Sequence, residues 1–172
     1  MNRLSKEQLE VISKTVIKEH NKASQRVRKE KRDWRLRNTA LLLKNHRLLS
    51  KHCEGIVADL EVYREMVFDP NGLKLDTLMQ YKAKTAKIML YFNTTYGTYR
   101  DYAKTGGEAC YRRFKILDSL YVNGDKPTIV ELAERYNVDK RTVHRDINKA
   151  IDELSVLLFG FDSLSELSDD GH

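Results

Sequence analysis

Proline and glycine are scarce: two and eight among 172 residues. A sandwich or barrel of short strands needs such residues at its many turns, so long helices are favoured instead. Runs alternating apolar and polar residues are few. Cysteine is just as sparse. Cys53 and Cys110 stand alone, without the paired spacing of a redox motif or zinc site, which suits reduced thiols in the cytoplasm. No apolar run approaches the roughly 18–20 residues that cross a bilayer, and the first residues lack a signal peptide's apolar core. Glycine-rich phosphate loops, nucleophile elbows and paired-histidine metal helices are missing. The acid pairs Asp152-Glu153 and Asp169-Asp170 occupy solvated or tail positions rather than converging on a metal. These absences argue against an enzyme, a cofactor and a membrane partner. His46, His52 and Cys53 lie close together, but without a second cluster they read as a helix surface beside a thiol rather than a metal site.

What is abundant is charge, unevenly placed. The net charge is +6. Between Lys22 and Lys51 there are 11 basic and 2 acidic residues, whereas the rest of the chain carries 20 basic and 23 acidic. From Asp152 to the end there are six acids and no lysine or arginine. A basic middle invites a polyanion; an acidic tail over 161–172 is solvated or contacts protein.

The most informative stretch is KPTIVELAERYNVDKRTVHRDINKAIDELSVLLFG, from Lys126 to Gly160. Pro127 suits a helix start, where its missing N–H costs nothing. Ile129, Leu132, Ala133 and Tyr136 then share one face. Asn137 tolerates a left-handed corner. Asp139 can cap a second helix by accepting from the N–H of Arg141 or Thr142. After Val138, the residues Val143, Ile147, Ala150 or Ile151, and Leu154 recur at threes and fours, predicting a buried stripe. The opposite face holds Lys140, Arg141, Thr142, His144, Arg145, Asn148 and Lys149. This is the pattern of a helix-turn-helix at 127–158 with a recognition helix over 139–158.

Those outward residue types match the major groove. Arginine bonds both acceptors of guanine, asparagine both groups of adenine, and threonine meets the thymine methyl. The base-reading candidates are Lys140, Arg141, Thr142, His144, Arg145 and Asn148. Thr128 can bond a phosphate through its hydroxyl or backbone N–H, and Lys126 and Lys149 are placed for phosphates. Double-stranded DNA is the expected partner.

Upstream, Ser5 with Gln8 forms a capping-box pattern, and Leu9, Ile12, Val16, Ala23 and Val27 make a sparse helical stripe suited to a hairpin or coiled coil. The polar segment NKASQRVRKEKRDWRLRN follows, either as continuous helix or as a short basic connection. A further helix is expected from about Trp34 to Met66 or Val67. Its apolar face comprises Leu41, Leu48 or Leu49, Cys53, Ile56, Leu60, Tyr63 and Val67, and Gly55 allows close approach of a neighbour. Trp34 is expected to anchor helix packing. Arg26, Arg28, Lys29, Lys31, Arg32, Arg35 and Arg37 fall at the joint, where they can grip phosphates or simply solubilise a long helix. Asp69-Pro70-Asn71-Gly72 marks the boundary between a region at 1–68 and a helical domain at 73–160.

After that break, Asp76 can cap a helix carrying Leu78, Met79, Ala86, Met89, Leu90 and Asn93. Its aromatics, Tyr81, Tyr91, Phe92, Tyr96, Tyr99 and Tyr102, are expected in packing rather than stacked on single strands. Gly106-Gly107 breaks the chain again. A supporting helix over 108–121 follows, with Cys110, Phe114, Leu117, Leu120 and Tyr121 inward, and Asn123-Gly124-Asp125 turns toward Pro127. The expected fold is all-α: a long N-terminal helical hairpin or coiled coil, then a helix-turn-helix domain.

The helix YRRFKILDSLY, the segment TIVELAERYNVDKRTVHRDINKAIDELSVLLFG with its LLFG ending, and RLRNTALLLKNHRLL together resemble the phage-associated ArpU/RinA group of transcriptional regulators. The resemblance covers about half the chain. It implies an all-helical activator encoded by a phage or mobile element in a bacterial host, with a helix-turn-helix similar to region four of sigma factors. The sequence departs from the sigma pattern at Asp146, where sigma factors usually place an apolar residue; Ile147 is expected to take the inward position. The reading is therefore a sequence-specific DNA-binding regulator, its N-terminal helices serving self-association, as a dimer, or contact with RNA polymerase. Two alternatives stay open: a DNA-packaging protein like a phage small terminase subunit, or a sigma-like polymerase subunit.

Overall fold

The computed structural model describes residues 5–54 and 75–160, side chains 75–80 excepted. Everything regular in it is helical: α1 Lys6–Cys53, α2 Leu75–Thr105, α3 Glu108–Leu117, α4 Ile129–Arg135 and α5 Lys140–Phe159, with no strand among the described residues. None of these helices is long and apolar enough to cross a membrane.

The first helix runs for 48 residues, about 72 Å at 1.5 Å per residue. Neither glycine nor proline occurs within it. The Ser5 hydroxyl accepts from the Gln8 N–H while the Gln8 side chain accepts from the Ser5 N–H, closing the expected capping box. Of the two forms open for the basic segment, the continuous helix is the one observed, so 6–53 does not fold back as a hairpin. Trp34 lies inside α1 rather than at the start of a new helix. Its ring meets Phe159 of α5 edge-on, 5.5 Å between centroids, and otherwise stays exposed.

The buried face of α1 differs from the expected one. Leu41 and Leu48 are exposed, Leu49 and Cys53 are half-buried, and Arg35, Thr39 and Leu43 face inward at four-residue spacing. Apolar spacing does not reveal this stripe, because two of its three members are polar. Leu43 joins Phe92, Tyr96, Tyr99 and Ala103 of α2, Cys110, Phe114 and Leu117 of α3, and Ala150, Leu154 and Leu158 of α5 in the main core. The C-terminal half of α1 is thus part of the same packed body as the helices after 75. Ile56, Leu60, Tyr63, Val67, Gly55, the 69–72 break and the acidic tail lie outside the described residues.

Phe92, Tyr96 and Tyr99 are buried, as expected of packing aromatics, whereas Tyr81, Tyr91 and Tyr102 are exposed. The buried rings interlock with Phe114: Tyr96 lies 5.4 Å and Tyr99 5.7 Å from it, centroid to centroid. Leu90 and Asn93, expected on that face, point outward. Gly107, at φ 86°, turns the chain from α2 to α3 in a conformation that glycine adopts without strain.

The last turn of the supporting helix widens into a π turn over Asp118–Val122, closed by Asn123 N–H to Asp118 O at 2.8 Å. The buried Asp118 carboxylate accepts from Tyr96 OH at 3.2 Å and from the Asn123 side chain. A second, smaller core joins Ile116 of α3 to Leu132 and Ala133 of α4 and Val143 of α5. α3 therefore serves both cores: Phe114 and Leu117 face one, Ile116 the other. α5 bridges them too, with its first turns on α4 and its second half in the main core.

Candidate nucleic-acid interface

Local chemistry shapes the α4–α5 corner. Thr128, not Pro127, is the N-cap of α4. Pro127, expected at the helix start, precedes it by one residue and is buried. The Thr128 hydroxyl accepts from Glu131 N–H at 3.2 Å, and Thr128 N–H donates to the Glu131 carboxylate at 2.7 Å. That bond holds the Glu131 carboxyl below its usual range. It also occupies the Thr128 N–H expected for a phosphate, leaving the hydroxyl proton as that residue's donor.

At the far end of α4, Asn137 adopts φ 49°, the left-handed corner foreseen from its side chain. Asn137 N–H reaches Glu134 O and Val138 N–H reaches Ala133 O, the paired bonds of a Schellman motif. Val138 lands against the small core. Lys126 also has a positive φ, 43°, which its identity does not foretell.

Asp139 then caps α5. Of the two candidate donors it takes Thr142, through the backbone N–H at 2.7 Å and the hydroxyl at 2.8 Å. The Thr142 bonds hold the Asp139 carboxyl low. The Thr142 hydroxyl proton therefore serves the cap and is not free to donate to DNA.

Lys140, Arg141, His144, Arg145, Asn148 and Lys149 are all exposed, with Thr142 half-buried at their edge. They form two rows at four-residue spacing: Lys140, His144 and Asn148, and beside them Arg141, Arg145 and Lys149. From Arg141 to Asn148 the helix advances about 10 Å, the rise of roughly three base pairs. Beneath these rows Val143, Ala150 and Leu154 are fully buried. The structure thus brings the expected base-reading side chains onto one solvent-facing surface.

The inner face of α5 holds what the sequence pattern missed. Asp146 is buried, 4% exposed, and Ile147 is only half-buried, reversing the expected order. Asp146 accepts from Arg112 Nε of α3 at 2.8 Å. Two turns on, Glu153 accepts from Arg113 Nη2 at 2.6 Å and from Tyr99 OH at 2.9 Å. Burial beside Glu153 pushes the Tyr99 phenol well above its usual range, so it remains a donor. Adjacent arginines on α3 therefore clamp α5 at two carboxylates seven residues apart. Acids at that spacing on an otherwise apolar face were the available signal. At the C-terminal end, Tyr91 OH donates to Leu158 O at 2.8 Å and satisfies a terminal carbonyl.

The basic segment of α1 divides. Arg26, Arg28, Lys29, Lys31 and Arg37 are exposed. Arg35 is 6% exposed and turned into the protein, so it is not a phosphate contact. Arg32 is half-buried and lies 3.7 Å from Asp152 of α5. His46 sits 3.0 Å from Asn93 Oδ1, and among the described residues no group of three or more His, Cys, Asp or Glu could hold a metal ion.

Comparison with known protein families, with curated proteins and with solved structures gives no match.

Proposed function

We propose that this protein is a sequence-specific DNA-binding transcriptional regulator that lays α5 in the major groove. The observation that carries the reading is the double row of Lys140, Arg141, His144, Arg145, Asn148 and Lys149, exposed along the first turns of a helix whose opposite face is clamped in two cores. Base readers need that combination. The side chains must reach base edges, and the helix must be held rigidly enough to discriminate among them. Arg141 and Arg145 are assigned to guanine, Asn148 to adenine, and the Thr142 methyl to thymine. Lys126, Thr128 and Lys149 are assigned to phosphates, joined by the exposed cations of α1.

The resemblance to the ArpU/RinA group supports a role in activating genes of a phage or mobile element, with RNA polymerase as the protein partner. Selection from a random duplex library with the full chain tests the reading. A recovered motif of a few base pairs, bound more tightly than its permuted version, is the expected result. Recovery of no motif, or binding indifferent to sequence, would overturn it.

A further inference from the structure

From Lys6 to Lys31, every side chain of this arm of α1 except Ser24 is exposed among the described residues. Yet one line along it is apolar. Leu9, Ile12, Val16 and Val27 are each between 47% and 61% exposed. With His20 and Ala23 they recur as 9, 12, 16 and then 20, 23, 27, a spacing of three, four and four repeated after 11 residues. An 11-residue repeat keeps a seam on one face of a nearly straight or gently right-handed helix pair, unlike the seven-residue repeat of left-handed coils. Propensity alone gives such an arm little stability in water; burying the seam supplies it.

We infer that this seam pairs, antiparallel, with the same seam of a second copy of the chain. Charge sets the direction. Lys6–Glu19 holds three basic and three acidic residues, whereas His20–Lys31 holds five basic and one acidic. A parallel pair lays the two basic halves side by side and sets His20 on His20. An antiparallel pair lays each basic half along a neutral one.

Size agrees with charge. When the two residue numbers sum to about 36, Leu9 meets the partner's Val27, Ile12 the partner's Ala23, and Val16 the partner's His20. The longer side chain of each apolar pair faces a smaller one, as interdigitating cores require. The two packed bodies then lie at opposite ends of the paired arms. This deepens the DNA-reading proposal by supplying two reading helices per assembly. It rests on that proposal only for this consequence, since the pairing needs no DNA.

Sedimentation equilibrium of the full chain without DNA tests it. The wild type is expected to be a dimer and the Ile12→Glu/Val16→Glu variant a monomer. The variant's core should melt unchanged, because neither residue touches that core. A monomeric wild type, or a variant that stays dimeric, would overturn the pairing, whatever the DNA experiments give. Direction is read by disulfide trapping in a Cys53→Ser background. Leu9→Cys/Val27→Cys should oxidise to a covalent dimer and neither single variant should, since antiparallel arms hold the two position-9 residues about 27 Å apart. Cross-linking by either single variant would contradict the antiparallel arrangement.

Discussion

Arg112 Nε donates to Asp146 Oδ2 across 2.8 Å, tying the supporting helix to the underside of α5. Asp146 directly follows Arg145 in the chain, so holding its carboxylate inward fixes the rotation that keeps Arg145 in solvent. The Arg113–Glu153 pair repeats the contact two turns on, at 2.6 Å.

Replacing Asp146 by Ala is therefore expected to cost about 3 kcal/mol, the low end for breaking a buried pair. The low end applies because the Arg112 side chain retains 22% exposure and is partly rehydrated. Changing both partners together, Arg112→Met/Asp146→Leu, should cost less than Asp146→Ala alone. Urea unfolding of the wild type, Asp146→Ala and the double variant measures the difference. Equal losses for Asp146→Ala and the double variant would show that the pair does not hold α5.

Two caps make the motif sensitive to acid. Thr128 N–H depresses Glu131, and Thr142 N–H depresses Asp139. Both folded-state values lie below the unfolded ones. Their stabilisation is thus fully present at neutral pH and is lost as pH falls through the depressed values, beneath the ordinary carboxylate range. Melting temperature should fall across that acid window. Glu131→Gln/Asp139→Asn, which keeps side-chain acceptors without the charge, should flatten the fall. A variant that declines as steeply as wild type would remove the caps as its cause.

The cations of α1 should separate by burial. Lys29→Ala/Arg37→Ala is expected to weaken all DNA sequences alike and to flatten the slope of log affinity against log salt by about 2, near 0.9 for each phosphate contact. Arg35→Ala should instead lower thermal stability, because that side chain is packed inside. An unchanged slope in the double variant would assign Lys29 and Arg37 to solubility alone.

The helix-turn-helix was legible because its signals are local. A cap at Asp139, a left-handed corner at Asn137 and apolar residues at threes and fours all fall within a few turns, and the structure places each there. The continuity of α1 was not. Its apolar residues are too sparse to distinguish one long helix from two, and only the absence of glycine and proline speaks for one. The inward turn of Arg35, Thr39 and Asp146 was hidden for another reason. Each is buried by contacts with residues distant in sequence, and a search for apolar stripes passes over polar side chains. Thr128 is exposed and Thr142 half-buried, and their capping bonds already engage donors expected for DNA.

The central claim is that the outer rows of α5 read bases. The most direct measurement is the affinity of wild type, Arg141→Ala and Arg145→Ala for the selected duplex and for its permuted version, at one salt concentration. A loss of about 1–3 kcal/mol on the selected duplex for at least one variant, with much less on the permuted one, is the predicted result. Equal losses on both duplexes, or none on either, would contradict it.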